Sequence, residues 1–246
     1  MLMESVALGE SFVFVPPVFE REGRPTLAGL FSHQPVEGID AGAALFWQGD
    51  RAAEVFEVTE GALRIVRILA DGRRVITGFL FAGDLVGVSQ RDRYLYTAEA
   101  IEPTCVRRLA RRRFDEAIDK QAQLRSQLVG QLCDEMTAAH EQVVLLARKS
   151  AEERVSSFLL ALVRRVSKNH PSAPVVNLPM TRLDMADYLG LTIETVSRVM
   201  TRLQAAEVIS QTGRHTVAVL RPARLAMLAA DDEEDGLDAA VPLRSH

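Results

Sequence analysis

Residues 182–208 run Arg182-Leu-Asp-Met-Ala-Asp-Tyr-Leu-Gly-Leu-Thr-Ile-Glu-Thr-Val-Ser-Arg-Val-Met-Thr-Arg-Leu-Gln-Ala-Ala-Glu-Val208. Counting from Arg182, a small residue (Ala186) falls fifth, a glycine (Gly190) ninth, and β-branched residues (Val196 and Val199) fifteenth and eighteenth. Each position has a physical reason in a helix-turn-helix. The second helix crosses the first at Ala186, so the side chain there must be small. Gly190 lies in a tight turn that calls for positive φ, and Val196 and Val199 pack the second helix back on the first. Two ordinary core helices meet one or two of these constraints by accident, not all of them together.

The outward face of the second helix carries the chemistry. Thr192 is placed to cap it and Glu194 lies in its first turn, while Ile193, Glu194, Ser197 and Arg198 project opposite Val196 and Val199. An arginine forks onto guanine O6 and N7, a carboxylate accepts from cytosine N4, and a serine hydroxyl serves several bases. Glu194 and Arg198 also have the i, i+4 spacing of a surface ion pair, worth a few tenths of a kcal/mol. Downstream, Val208-Ile-Ser210 reads as a short strand, Gln211-Thr-Gly-Arg-His215 as a turn and Thr216-Val-Ala-Val-Leu220 as a partner strand. This is a wing, with Arg214 and His215 at a tip suited to phosphate.

Leu189-Gly-Leu-Thr-Ile-Glu-Thr-Val-Ser-Arg198 resembles the recognition helix of the CRP/FNR superfamily of bacterial transcription regulators, in particular its FNR and FixK branches. The resemblance implies that Glu194, Ser197 and Arg198 read the bases of a TTGAT-type half-site. Ile193 and Ser197 depart from the cyclic-AMP branch, which carries Arg and Gly at those places. The N-termini of helices and the residues Arg182, Thr192, Thr195, Arg202 and Arg214 are then expected on the DNA backbone, where contacts position the protein without reading sequence.

The resemblance continues upstream through Ala41–Asp50, Val55–Val66, Asp71–Arg74 and Ile76–Gly87. Read from the residues, these are short β-branched and aromatic runs separated by Gly49, Gly61, Gly72 and Gly83, the spacing of an antiparallel roll or barrel. Such a fold by itself hosts many functions. The family implies that the turn holding Asp71 and Arg73 faces RNA polymerase. Between the halves, Leu124, Leu128, Leu132, Met136, Ala139, Val143 and Leu146 recur at spacings of three and four. The stripe suits a helix packed on its own domain as well as a dimer seam. The resemblance implies the seam, because two recognition helices one DNA turn apart need a two-fold axis to read a palindrome.

The expected fold is therefore α+β. Residues 1–39 form an N-terminal extension and 40–118 a β-roll of the cupin-like, cyclic-nucleotide-binding type. Residues 119–148 form a dimerisation helix, 149–230 a winged helix-turn-helix domain, and 231–246 an acidic disordered tail.

The resemblance implies three kinds of ligand, each of which calls for its own residues. Cyclic-nucleotide binders keep a Gly-Glu-Leu segment for the ribose and an Arg followed by Ser or Thr for the phosphate. Here the corresponding stretches read Val86-Gly-Val-Ser89 and Tyr94-Leu-Tyr-Thr-Ala98. An iron-sulfur cluster needs four thiolates, and the chain has only Cys105 and Cys133. Haem would need an axial histidine, for which His33 is the one candidate in the β domain. The five histidines show no metal-ligand spacing. The expectation is a regulator with no cofactor.

A net charge of −4 looks wrong for a DNA binder until it is divided along the chain. Residues 231–246 hold six acids against Arg244, whereas 148–230 hold twelve Lys or Arg against six Asp or Glu. The positive field is local to the expected DNA module, as phosphate binding requires. No apolar run of membrane-spanning length and no secretory signal pattern occurs, which predicts a cytoplasmic protein without membrane contact. No paired nucleophile and base form a recognisable motif, so an enzyme is not expected. The expected function is a FixK-like homodimer on a TTGAT-N4-ATCAA-type palindrome, with double-stranded DNA and RNA polymerase as partners, controlling low-oxygen or nitrogen-metabolism genes. The other reading is a module responsive to haem or a small molecule whose winged helix contacts protein. The combination of Glu194, Ser197 and Arg198 separates the two, since a protein-binding wing has no need of it.

Overall fold

Gly61 shapes the first pair of sheets. It sits at φ +83° between strands β3 (Glu54–Glu60) and β4 (Ala62–Ile68), and a Cβ there would lie 2.6 Å from Thr104 Oγ1 and 2.7 Å from the Pro103 carbonyl. Only glycine lets the chain cross so close to its neighbour. The strands before it are β1 (Val36–Ile39) and β2 (Ala44–Phe46); those after β4 are β5 (Arg74–Phe81), β6 (Leu85–Val86), β7 (Thr97–Ala100) and β8 (Thr104–Ala110). They form two antiparallel sheets, in the orders β1-β8-β3-β6 and β2-β7-β4-β5. The β4–β5 hairpin closes through Leu69, whose amide donates to the Arg73 carbonyl at 2.9 Å.

The structure is a computed structural model and describes residues 25–89, 91–167, 175–213 and 215–230. It forms two compact units, one of residues up to 144 together with 178–193, the other of 145–177 and the residues from 194 onward.

In the first unit the alternating strands bury Phe46, Phe56, Val58, Leu63, Val86, Tyr94 and Val106 in one cluster. A second cluster joins Leu27, Phe31, Val55, Leu109, Phe114, Ile118 and Leu124. Part of the segment set apart as an extension thus belongs to the roll. Val36–Ile39 pairs with β8, and Leu27 and Phe31 lie in the core. Residues 1–24 lie outside the described residues.

The helical stretch is divided. Helix α1 spans Arg111–Lys120 and α2 spans Ala122–Arg148, with Gln121 extended (φ −127°, ψ 103°) between them. The α2 stripe is divided as well. Leu124 is fully buried in the core, whereas Leu132, Met136 and Val143 are exposed.

The first unit also contains helix α4 (Arg182–Leu189). Thr181 Oγ1 accepts from the Asp184 amide while the Asp184 carboxylate accepts from the Thr181 amide, a capping box that satisfies two otherwise orphan donors. Gly190 ends the helix at φ 62°, ψ 41°, the left-handed conformation expected of it, and its amide donates to the Ala186 carbonyl.

The second unit holds α3 (Ala151–Ser167), β9 (Val175–Asn177), nearly all of α5 (Ile193–Ala205), β10 (Ile209–Gln211), β11 (Thr216–Val219) and α6 (Pro222–Leu228). Ser150 and Glu153 cap α3 reciprocally, with the Ser150 amide donating to Glu153 Oε2 at 2.6 Å. That bond holds the Glu153 carboxyl below its usual range. Lys149 Nζ donates to the Ala229 carbonyl and to Ser157 Oγ, both at 2.8 Å, tying the chain after α6 to α3. The wing is β10-β11-β9, with Ile209 opposite Val219 and Val217 opposite Val176. The third strand was not foreseen, because a three-residue run has too few positions to display an alternation. Among the described residues no helix is long and apolar enough to cross a membrane.

Candidate nucleic-acid interface

Helix α5 separates its residues cleanly. Val196, Val199, Met200 and Leu203 are buried, and Glu194, Ser197, Arg198 and Thr201 are exposed along the opposite face. The cause is helical periodicity, since positions 194, 197, 198 and 201 recur at three and four residues. Arg198 Nη2 lies 3.3 Å from Thr195 Oγ1, one turn back, which holds the guanidinium along the helix surface. The three residues expected to read bases therefore share one open face. Thr192 directly precedes the helix and is exposed, and Thr195 is half-buried.

The residues expected on the DNA backbone are scattered more widely. Arg182 opens α4, with its guanidinium half-buried against the Met185 sulfur at 3.3 Å and its basicity lowered by burial. Arg202 is 65% exposed and lies 3.5 Å from Glu152. An ion pair that open adds little stability and gives way readily to another anion. Arg214 lies outside the described residues. Beside it the wing turn is closed by the Thr212 amide, which donates to the Thr216 carbonyl at 3.0 Å.

In the roll, Asp71 and Arg73 project at the β4–β5 turn and bond each other. Arg73 Nε donates to Asp71 Oδ2 at 2.7 Å and the Arg73 amide to Oδ1 at 3.0 Å. Those bonds hold the Asp71 carboxyl below its usual range. At the segments compared with cyclic-nucleotide binders, Tyr96 Oη accepts from the Gly87 amide at 3.2 Å and Tyr94 Oη donates to the Glu54 carbonyl at 2.8 Å. Burial raises both phenols above their usual range. Cys105 is half-buried, while Cys133 and His33 are exposed. No cluster of His, Cys, Asp and Glu able to hold a metal occurs among the described residues.

Residues 153–228 match the Crp-like helix-turn-helix domain family and residues 37–121 the cyclic nucleotide-binding domain family. The nitrogen fixation regulation protein FixK of Bradyrhizobium diazoefficiens is 38% identical over 194 residues, covering 78% of this chain and 81% of FixK. The chain belongs to the CRP/FNR family. Another member, the transcriptional activator FnrL of Cereibacter sphaeroides, is 36% identical over 86% of this chain and 87% of its own. The solved structure of FixK2 from Bradyrhizobium japonicum superposes with a TM-score of 0.73 at 33% identity, covering 79% of this chain and 96% of that one. The architecture expected from sequence, a β-rich N-terminal domain followed by helices and a C-terminal helix-turn-helix, is the architecture of this CRP/FNR protein. It is a FixK-like DNA-binding transcription regulator, and its family is one of regulators and not of enzymes.

Two features escaped the sequence reading. Thr181, one residue before the quoted motif, caps α4. Its Thr-x-x-Asp spacing to Asp184 is a recognisable signal. Arg64, on β4, donates through Nη1 to Asp184 Oδ1 at 2.8 Å, across 120 positions of sequence that carry no local trace of the pairing.

Proposed function

We propose that this regulator binds a TTGAT-N4-ATCAA-type palindrome as a homodimer, with Glu194, Ser197 and Arg198 reading each half-site. The observation that carries this reading is their common exposure on one face of α5, opposite Val196, Val199, Met200 and Leu203. A carboxylate, a hydroxyl and a guanidinium on one such face form a base-reading set for a helix in the major groove. Arg182, Thr192, Thr195, Arg202 and Arg214 supply phosphate contacts that position the dimer.

The homodimer reading is supported by α2, whose Val129, Leu132, Met136, Val143 and Leu146 are exposed between 41% and 65%. Apolar residues at those spacings on an open helix favour a second copy of the same helix. The working division is a roll, a dimerisation helix ending at 148, a winged helix-turn-helix to 230 and an acidic tail. The protein works in the cytoplasm, where its DNA and RNA polymerase are, and the Asp71–Arg73 turn contacts the polymerase. It acts without cyclic nucleotide or iron-sulfur cluster, a reading supported by the aromatic side chains that fill the roll interior and by the presence of only two cysteines. The nitrogen-fixation role named for the FixK relative supports target genes in low-oxygen or nitrogen metabolism.

The test is binding of the purified protein, without added effector, to the palindrome and to a duplex with the guanines and their partners exchanged, at two salt concentrations. Tight binding that collapses on the exchanged site is the expected result. Weak, salt-sensitive binding to both duplexes overturns the half-site or the effector-free reading.

A further inference from the structure

An open cavity of about 880 Å³ lies where the chain enters β3 and where β8 passes into α1. Four arginines line it, from three stretches far apart in sequence: Arg51 before β3, Arg93 between β6 and β7, and Arg111 and Arg112 in the first turn of α1. The backbone brings them together. Arg51 and Arg93 are opposed in an isolated antiparallel bridge, the Ala52 amide donates to the Asp92 carbonyl at 2.8 Å, and the Arg111 amide donates to the Ala53 carbonyl at 2.9 Å.

The guanidinium groups here are held mostly by neutral acceptors. Arg93 Nη1 donates to the Gly49 carbonyl at 2.6 Å, and Arg111 Nη1 donates to the Ala52 and Arg91 carbonyls at 3.0 and 2.8 Å. A carbonyl fixes the place of a guanidinium and leaves its charge standing. Elsewhere in the roll the arginines meet carboxylates: Arg64 has Glu99 and Asp184, and Arg108 has Glu37 and Glu54. Among the described residues Arg51 and Arg93 meet none. Arg111 lies 3.8 Å from Asp115, and Arg112 lies 3.4 Å from Glu116 in a pair open to water, which weakens it. Asp92 and Asp115 are the acids that line the cavity, which leaves the four arginines with an excess of two positive charges.

Like charges gathered around one opening focus their field on an anion. Guanidinium groups fork onto phosphate oxygens, and several of them from separate segments suit a group with many such oxygens better than a single carboxylate. The volume accepts a molecule of nucleotide size. None of the aromatic residues that fill the roll interior, Phe46, Phe56 and Tyr94 among them, lines this cavity.

We propose that the cavity is a binding site for a small anion that carries a diphosphate group, with Arg51, Arg93 and Arg111 holding its oxygens. The site lies wholly within the first compact unit, and it needs neither α5 nor a second copy of the chain.

The experiment is calorimetric titration of the full-length protein with inorganic pyrophosphate and with ADP, without divalent metal and at two salt concentrations, with thermal unfolding recorded in parallel. Both probes test the same diphosphate. Saturable binding of one pyrophosphate per chain is expected. Arg51→Gln should weaken it roughly tenfold, as loss of a charge-assisted contact does. Arg93→Lys keeps the charge and loses the fork, and should weaken it less. Asp92→Asn, which removes a repelling charge, should tighten it roughly threefold. Arg67→Gln, an exposed arginine of β4 outside the cavity, should leave it unchanged. ADP binding tighter than pyrophosphate assigns the site to a nucleoside diphosphate, and equal or weaker binding assigns it to free pyrophosphate; both uphold the proposal. Absence of saturable binding overturns it, as does an equal loss in Arg67→Gln and Arg51→Gln, the mark of a general positive field. A palindrome salt slope smaller by about one in Arg51→Gln would place that residue on the DNA backbone and overturn it too. If Arg51→Gln does not fold, the gain expected of Asp92→Asn carries the test.

Discussion

The rings of Phe46 and Tyr94 stack inside the roll with centroids 3.7 Å apart and planes 17° from parallel. Phe56 stacks on the same Phe46 ring at 5.9 Å and Tyr96 tilts against it at 5.6 Å, so Phe46 is the centre of the aromatic cluster. Phe46→Ala is expected to cost about 3–5 kcal/mol, the usual range for emptying a buried phenyl site. Tyr94→Phe keeps the stack and loses only the bond to the Glu54 carbonyl, for about 1 kcal/mol. Urea unfolding of the two variants checks the order. Similar losses would mean that the hydroxyl, and not the stack, holds this end of the roll.

Arg198→Ala should cost on the order of 1–3 kcal/mol per half-site and flatten the preference for guanine at one position, as loss of a bidentate base contact does. Anisotropy on a panel of single-base duplexes reads both effects. A uniform loss across the panel would instead assign Arg198 to the backbone.

Glu57 gives the roll a pH dependence of predictable sign. It is 7% exposed on β3, and burial raises its carboxyl above the ordinary 4.5 despite Arg107 at 3.6 Å. A carboxyl whose folded pKa lies above its unfolded one favours the folded state at acid pH, and that stability is lost as pH rises through the folded value. Glu57→Gln removes the charge while keeping an acceptor for Arg107. The variant should melt higher than wild type at pH 7, with the gap closing toward pH 4. A lower melting temperature at pH 7 would show that the Arg107 attraction outweighs burial.

Met136 and Val143 are 56% and 65% exposed on α2. Changing both to Glu leaves helix propensity nearly untouched but places like charges along the expected seam. Sedimentation equilibrium should show a dimer for wild type and monomers for the variant, and palindrome affinity should fall by more than tenfold as the second half-site is lost. A dimer that persists would move the seam to another face.

Glu207 follows α5 with φ 53°, a left-handed position that β-carbon-bearing residues occupy at a cost. Glu207→Gly should raise stability by up to about 1 kcal/mol in urea unfolding. A loss would show that the exposed Arg221–Glu207 bond at 2.6 Å matters more than the backbone strain.

The exposed face of α5 was legible because helical periodicity is local. Once residues 193–205 form a helix, the positions of Glu194, Ser197 and Arg198 opposite Val196 and Val199 follow from spacing alone. The same holds for Gly190, whose left-handed conformation answers a chain reversal written in neighbouring residues. Residues far apart in sequence left no such trace. Val36–Ile39 has too short a pattern to announce that it pairs with β8, and Gln121 gives no warning that it interrupts an otherwise continuous helical stretch.

Periodicity, turn chemistry and charge distribution, all properties of neighbouring residues, were enough for an antiparallel roll or barrel, a striped helix and a winged helix-turn-helix, and the resemblance to the CRP/FNR family made the first of these a β-roll. The division of the stripe, with Leu124 buried and Leu132 open, depends on where the roll lies against α2. The bond from Arg64 to Asp184 depends on β4 and α4 meeting in space, 120 positions apart. Such pairings are set by the packing of whole elements, and no local pattern encodes them.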